Sequence, residues 1–271
     1  MATVHRLLAG GFALLLDPFA RLSPLVGLTL ISAASGVILL FAFRAVSNPK
    51  AIRAARQAVQ AHLLAVRLYR HDLTVVFRAQ QAFLRALAFY LTSMVLPFLV
   101  LLLPFGLLFA HLEARYGTRA LHPGERTIVR VIGTPETLDH WQLEGTTGVV
   151  VDSVPVHIPA RHEIDWRVRA AQVGRYELAL VNGARRVLKT VRVAGTQEGA
   201  APRRAVASIT ALFLAPTEMP IDPKAGIVSI RIAYPSLHLA LFGWRLHWIV
   251  IFLLVSAAVA LLLHKRAGVE F

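Results

Sequence analysis

Three stretches of this chain carry almost no charge over lengths that would cross a lipid hydrocarbon core, a distance that takes roughly 20 mostly apolar helical residues. The first lies between Arg21 and Arg44 and reads LSPLVGLTLISAASGVILLFAF, 22 uncharged residues. The second lies between Arg85 and Glu113, where only His111 can take a charge. The third, LHWIVIFLLVSAAVALLLH, has 19 residues between Arg245 and Lys265. With 56% hydrophobic and 16% charged residues, the chain departs from a water-soluble composition in the same direction.

The expected fold class is membrane α+β: three transmembrane helices, a cytoplasmic helical hairpin and an exported β-sandwich-like domain. The expected boundaries are an outer-face interfacial helix over 1–21, spans at 22–44 and 86–112, and a hairpin at 45–85. The exported domain covers 113–239, a third span with an interfacial lead-in covers 240–264, and the tail is 265–271.

Orientation follows from Lys and Arg in short loops, which are retained on the cytoplasmic side. Residues 45–88 carry Lys50, Arg53, Arg56, Arg67, Arg70, Arg78 and Arg85 against the single acid Asp72, whereas 113–243 balances 16 basic with 12 acidic residues. The first loop is therefore expected inside and the amino terminus outside, with Lys265 and Arg266 returning the tail to the cytoplasm. Most of the net +14 is a topology signal. The implied location is the prokaryotic cytoplasmic (inner) membrane. A secretory signal at the N-terminus is disfavoured because Asp17 interrupts the ten-residue run LLAGGFALLL before any small-residue cleavage site.

In the loop, Ser47, Asn48 and Pro49 form a helix-start signal, and Ile52, Ala55, Val59, Leu63 and Val66 recur at helical spacing. Asp72 would cap a second helix running without a break into the second span. Arg53, Arg56, Arg67 and Arg70 are the candidate cytoplasmic contacts, facing anionic headgroups, a ribosome or a nascent chain. The alternative is that they only hold the topology. Free nucleic acid is not an expected partner, since the arginines have little aromatic interleaving and no recognised motif.

Between about 119 and 234 the pattern turns to short alternating strands. In DWRVRA, Trp166, Val168 and Ala170 share one face while Arg167 and Arg169 take the other. TIVRVIG, GVVV, VPVHI, YELALV, RVLKTVRV, ITALFL and GIVSIRI read as further strands, and Asn182–Gly183 as a hairpin turn. Ser153, His157, His162, Glu163 and Asp165 lie close in sequence, but no HExxH helix or Gly-x-Ser-x-Gly elbow frames them. With no Cys there is no thiol nucleophile or Cys-bound metal. The chain is read as no enzyme, with no cofactor and no metal site.

Within the first span Thr29, Ser32, Ser35 and Gly36 fall on neighbouring turns, with Arg44 at the inner end and Thr92 and Ser93 in the second span as a facing wall. Such a stripe serves either close helix packing or a hydrated groove. Pro97 and Pro104 would bend the second span.

The order of parts, together with GLTLISAASGVILLFAFRAVSNPKAIRAARQ and RLYRHD, resembles the core of the YidC-like membrane insertase superfamily over residues 8–112 and 240–266. The resemblance implies a groove, open to cytoplasm and lipid, whose positive charge receives hydrophilic parts of a client; Arg44 is the nearest match. It departs from the bacterial insertases in having three spans instead of five and a domain inserted before the last. The function expected is thus an insertase or membrane chaperone receiving apolar client segments. Its expected partners are the lipid bilayer, nascent or client membrane proteins, a ribosome and accessory membrane subunits. The alternative is a non-catalytic scaffold or sensor whose exported domain binds a partner.

Overall fold

The computed structural model describes residues 2–46, 54, 56–61, 63–64, 73–134, 138, 140–196, 198–241 and 243–267. The caps expected at Ser47 and Asp72, and most of the first hairpin arm, lie outside the described residues. The fold is α+β, and the chain divides into two compact units. One comprises Met1–Leu30 and Gly106–Phe252; the other comprises Ile31–Phe105 and Leu253–Phe271.

Among the described residues, four long helices and one short one can be bounded, besides a helical segment at 56–61. Helix α1 is Ala2–Leu16, ended by a 3-10 turn at Asp17–Arg21 where Pro18 breaks the ladder. Helix α2, Pro24–Val46, opens on a proline whose missing N–H costs nothing at that position and places Arg44 in its last turn, where a cation meets the carbonyl end. Helix α3 is continuous over 44 residues, Leu73–Tyr116. Helix α4 is Ile209–Leu214 and α5 is Trp248–Ala267. Among the described residues, two helical segments are long and apolar enough to cross a membrane, Pro24–Ala45 and Phe98–Tyr116, and Trp248–His264 is apolar over a shorter length.

The first unit holds the sheets. Strand β1 (Arg126–Gly133) sits at the centre, antiparallel to β5 (Glu163–Ala170) on one side and β9 (Ile227–Ile232) on the other. The sheet is completed by β3 (Val149–Val151) and β4 (Val156–Ile158) on β5, and by β8 (Arg203–Ala205) on β9. A second sheet has the order β2 (Gln142–Glu144), β6 (Gly174–Asn182), β7 (Arg185–Val193).

The alternation read in DWRVRA is what joins the sheets. Ile164, Trp166 and Val168 of β5 share one buried core with Val129 and Val131 of β1 and with Leu178, Leu180 and Val191 of the second sheet. Trp166 pairs with Val129 in register and is 2% exposed. Where the domain joins its flanking helices, Thr118 bridges Ser236; the Arg119 N–H donates to the Pro235 carbonyl (2.9 Å) and the Leu237 N–H to the Gly117 carbonyl (3.1 Å).

Three local expectations are corrected. ITALFL is a helix, not a strand, because the Ser208 hydroxyl accepts from the Ala211 N–H and caps it. The lead-in to the third apolar run is a hairpin, β10 (His238–Leu241) with β11 (Trp244–His247). The β6–β7 loop is Gly183–Ala184, because Asn182 still pairs with Arg185. Gly183 takes φ 57° while Ala184 keeps a negative φ, the sign pattern of a turn that wants glycine first.

Helix α1 docks within the first unit. The His5 Nε2–H donates to the Glu218 carbonyl (3.1 Å), Phe12 stacks on His111 at 4.0 Å, and Asp17 pairs with Arg115 at 2.8 Å. Its opposite face leaves Leu7, Leu14 and Leu15 exposed. At the start of α5 the Trp248 indole N–H donates to Glu113 (2.7 Å) beside Phe109 and Phe252.

Candidate functional site

The α2 stripe was the principal sequence-derived site, and its backbone geometry explains part of its composition. An ideal Cβ on Gly36 would stand 2.6 Å from the Ser256 carbonyl oxygen and 3.1 Å from its Cα, so the two backbones meet with no room for a side chain. Leu40 is buried nearby against Phe43 and Leu263. Ser32 and Gly36, four residues apart, form the small-xxx-small spacing that permits such an approach.

Ser32 and Ser35 are 0% and 5% exposed, while Ile38 and Phe41 of the same helix are 61% and 52% exposed. The buried face of α2 thus mixes serines with Leu28, Ile31 and Leu40, while its exposed face is apolar, where a water-soluble helix would present polar side chains. Helix α5 repeats the arrangement, with Ser256 buried and Leu253, Leu254, Leu261 and Leu262 exposed. The Ser256 hydroxyl donates back to Leu253 (3.3 Å), and Thr29 donates to the Leu25 carbonyl (2.8 Å). A hydroxyl bonded to its own helix can sit in an apolar medium at small cost.

Of the other sequence-derived positions, Arg44 is exposed at the end of α2 and Arg56 is exposed in the helical segment 56–61. Thr92 is exposed on α3 and donates to the Ala88 carbonyl; Ser93 lies one residue further along that helix. Arg53, Arg67 and Arg70 lie outside the described residues. The structure thus brings Gly36 together with Ser256, a residue the sequence reading did not single out although it stands among apolar residues of the third run. On α3, Phe89, Leu91, Val95, Phe98, Leu99, Leu102 and Leu103 are all exposed.

The polar cluster of the sheet domain resolves into ion pairs. Arg130 lies 2.8 Å from Glu163 and 3.3 Å from Asp165, so the two carboxylates share one cation. The Ser153 hydroxyl accepts from the Arg167 N–H, and His162 occupies the tight turn before β5 with φ 52°. Among the described residues no group of three or more His, Asp or Glu is placed to hold a metal ion.

Two further pairs had no sequence signal. Arg119 grips Glu125 through both guanidinium nitrogens (2.9 and 2.6 Å), and those hydrogen bonds hold the Glu125 carboxyl down to about 2. Lys189, 1% exposed on β7, donates to Glu218 and to the Ala201 carbonyl (3.0 Å); burial pushes its ammonium below the usual lysine range.

No family model, curated protein or solved structure matches this chain.

Proposed function

We propose that this is an integral membrane protein of three spans, α2, the apolar part of α3 and α5, with the sheet domain exported as a sandwich and the basic hairpin inside. The observation that carries the reading is that α2 and α5 expose apolar side chains, Ile38, Phe41, Leu253, Leu254, Leu261 and Leu262, while their serines Ser32, Ser35 and Ser256 are buried. In lipid that arrangement is the favourable one, because the tails offer no gain for burying leucine and small polar residues let helices approach. Exposed Ile209 and Leu214 on α4, with Met219 and Trp244, suit the interfacial zone, where aromatic and apolar side chains anchor.

Within the membrane, the protein acts as an insertase or membrane chaperone. The exposed apolar side chains of α3 from Phe89 to Leu103 offer a client helix a surface, on a helix that continues back to Arg85 and Arg78 of the basic loop. The resemblance of residues 8–112 and 240–266 to YidC-like insertases supports the same reading. Arg44 supplies positive charge at the inner boundary, where attraction to acidic client segments is stronger than in bulk water.

A second reading, a scaffold or sensor acting through its exported domain, is favoured by one feature: Gly36 is spent on helix packing, which removes that position from a groove.

The test has two arms. Single cysteines at Gln57 and Asn182 label from opposite sides of sealed vesicles if the topology is right; labelling from one side rejects the three-span arrangement. A photo-crosslinking residue at Phe98 or Leu102 captures newly made membrane proteins if the insertase reading holds. Capture only from Val173 on the sheet domain selects the scaffold instead.

A further inference from the structure

A cleft of about 330 Å³ opens in the first unit between α1, the end of α3 and the β6–β7 hairpin. Its charges do not balance. Arg175 of β6 and Arg192 of β7 are direct cross-strand partners, and both line the cleft. Residues opposite each other on an antiparallel pair project to the same face about 5 Å apart, where like charges are destabilising. The two carboxylates lining the same cleft are already engaged, Asp17 by Arg115 and Glu218 by Lys189. Arg192 donates to the Gly199 carbonyl (3.1 Å); Arg175 acts on the Glu218 carboxylate only through space, and neither arginine forms an ion pair among the described residues.

An independent observation lies on the opposite wall. His111, 3% exposed, has its Nδ1 bonded to the Leu107 carbonyl (2.9 Å), and its ring is fixed by the stack on Phe12. A carbonyl can only accept, so Nδ1 carries the proton and Nε2 presents a lone pair. That Nε2 is buried and has no hydrogen-bond partner. A buried acceptor left without a donor is unfavourable, so a ligand with a hydroxyl is the natural complement.

We infer that this cleft binds a phosphate ester with a neighbouring hydroxyl, Arg175 and Arg192 taking the phosphoryl oxygens and His111 Nε2 accepting from the hydroxyl. The guanidinium fork suits phosphate oxygens, and an anion between the two arginines turns their repulsion into shared attraction. The hydroxylated phosphate could come from a glycerol-type lipid headgroup or from a soluble glycerol phosphate. The site itself is independent of the insertase reading; only the lipid source rests on membrane residence, which the vesicle labelling tests separately.

The test uses the full chain, purified and delipidated in a non-ionic detergent. The probes are dioleoyl phosphatidylglycerol, dioleoyl phosphatidylmethanol, which keeps the phosphate but lacks the hydroxyls, and glycerol 1-phosphate. Binding is read by native mass spectrometry and calorimetry. Wild type is expected to prefer phosphatidylglycerol over phosphatidylmethanol about fivefold, the worth of one neutral hydrogen bond. His111→Phe should erase that preference while still binding both. Arg175→Gln and Arg192→Gln should each weaken both lipids at least about tenfold, as loss of a charge-assisted bond does. Arg175 is exposed, so its variant tests the site even if Arg192→Gln fails to fold. Displacement of lipid by glycerol 1-phosphate assigns the soluble source, and its failure to compete assigns the lipid. Unchanged phosphatidylglycerol affinity in folded Arg175→Gln, or no binding of any probe to wild type, overturns the proposal.

Discussion

The backbones of Gly36 and Ser256 touch: a methyl group on the Gly36 α-carbon would lie 2.6 Å from the Ser256 carbonyl oxygen. Because the obstacle is main chain, shortening the Ser256 side chain gives no relief. Gly36→Ala should therefore destabilise by about 1–3 kcal/mol, in the range of overpacking, and Ser256→Gly should not rescue it. Ala34, exposed on the same helix, provides the control, and Ala34→Leu should be neutral. Thermal unfolding in detergent measures all three; equal tolerance of Ala at 36 and Leu at 34 would remove the close contact.

The Lys189–Glu218 pair is buried on the lysine side, so its members are worth little apart. Lys189→Met should strand the Glu218 carboxyl without its cation and cost about 3–5 kcal/mol, whereas Lys189→Met with Glu218→Leu should recover most of that loss. The readout is the unfolding midpoint of the sheet domain followed by tryptophan fluorescence in the full chain. A double variant as unstable as the single one would mean that the pair's geometry, and not its charge balance, is what the fold needs.

Glu125 gives the domain an acid dependence whose sign is fixed. Its carboxyl is held at about 2 by Arg119 against an ordinary value of 4.5. A depressed carboxylate contributes stability that is complete above about pH 4.5 and is lost as pH falls toward about 2. Arg119→Gln should lower stability at pH 7 and flatten the pH dependence across that window, and the partly exposed pair should be worth less than a buried one. Denaturation midpoints at pH 7, 4 and 3 in both proteins decide it, and parallel curves would contradict the assignment.

The legible parts of this fold were those with a period or a boundary written in charge. Arg21 and Arg44 enclose the first apolar helix, and Trp166 alternates with Arg167 and Asp165, so both could be placed by inspection. ITALFL defeated the same method because a six-residue apolar run has too few turns to show a period, and only Ser208, the cap, distinguished helix from strand. The β10–β11 hairpin was hidden because its apolar strands merge into the run that follows. The Gly36 contact was half visible: small residues announced that something approaches closely, but Ser256 lies more than 200 positions away and nothing local names it. The cleft arginines were hidden for the same reason, since Arg175 faces Arg192 only once the β6–β7 register is set, and His111 arrives from an α-helix far upstream.

The bridge between Thr118 and Ser236 makes the sheet domain's entry and exit neighbours. Residues 119–235 therefore present themselves to the flanking helices as an insertion of almost no span, a cassette clipped at its base. Its closure entropy is met inside the domain, where β1 and β9 pair, and places no tension on the chain outside. A chain built this way can gain, lose or exchange the cassette without moving the helices' ends apart, so a sheet domain can be added to a small helical core that keeps its own packing.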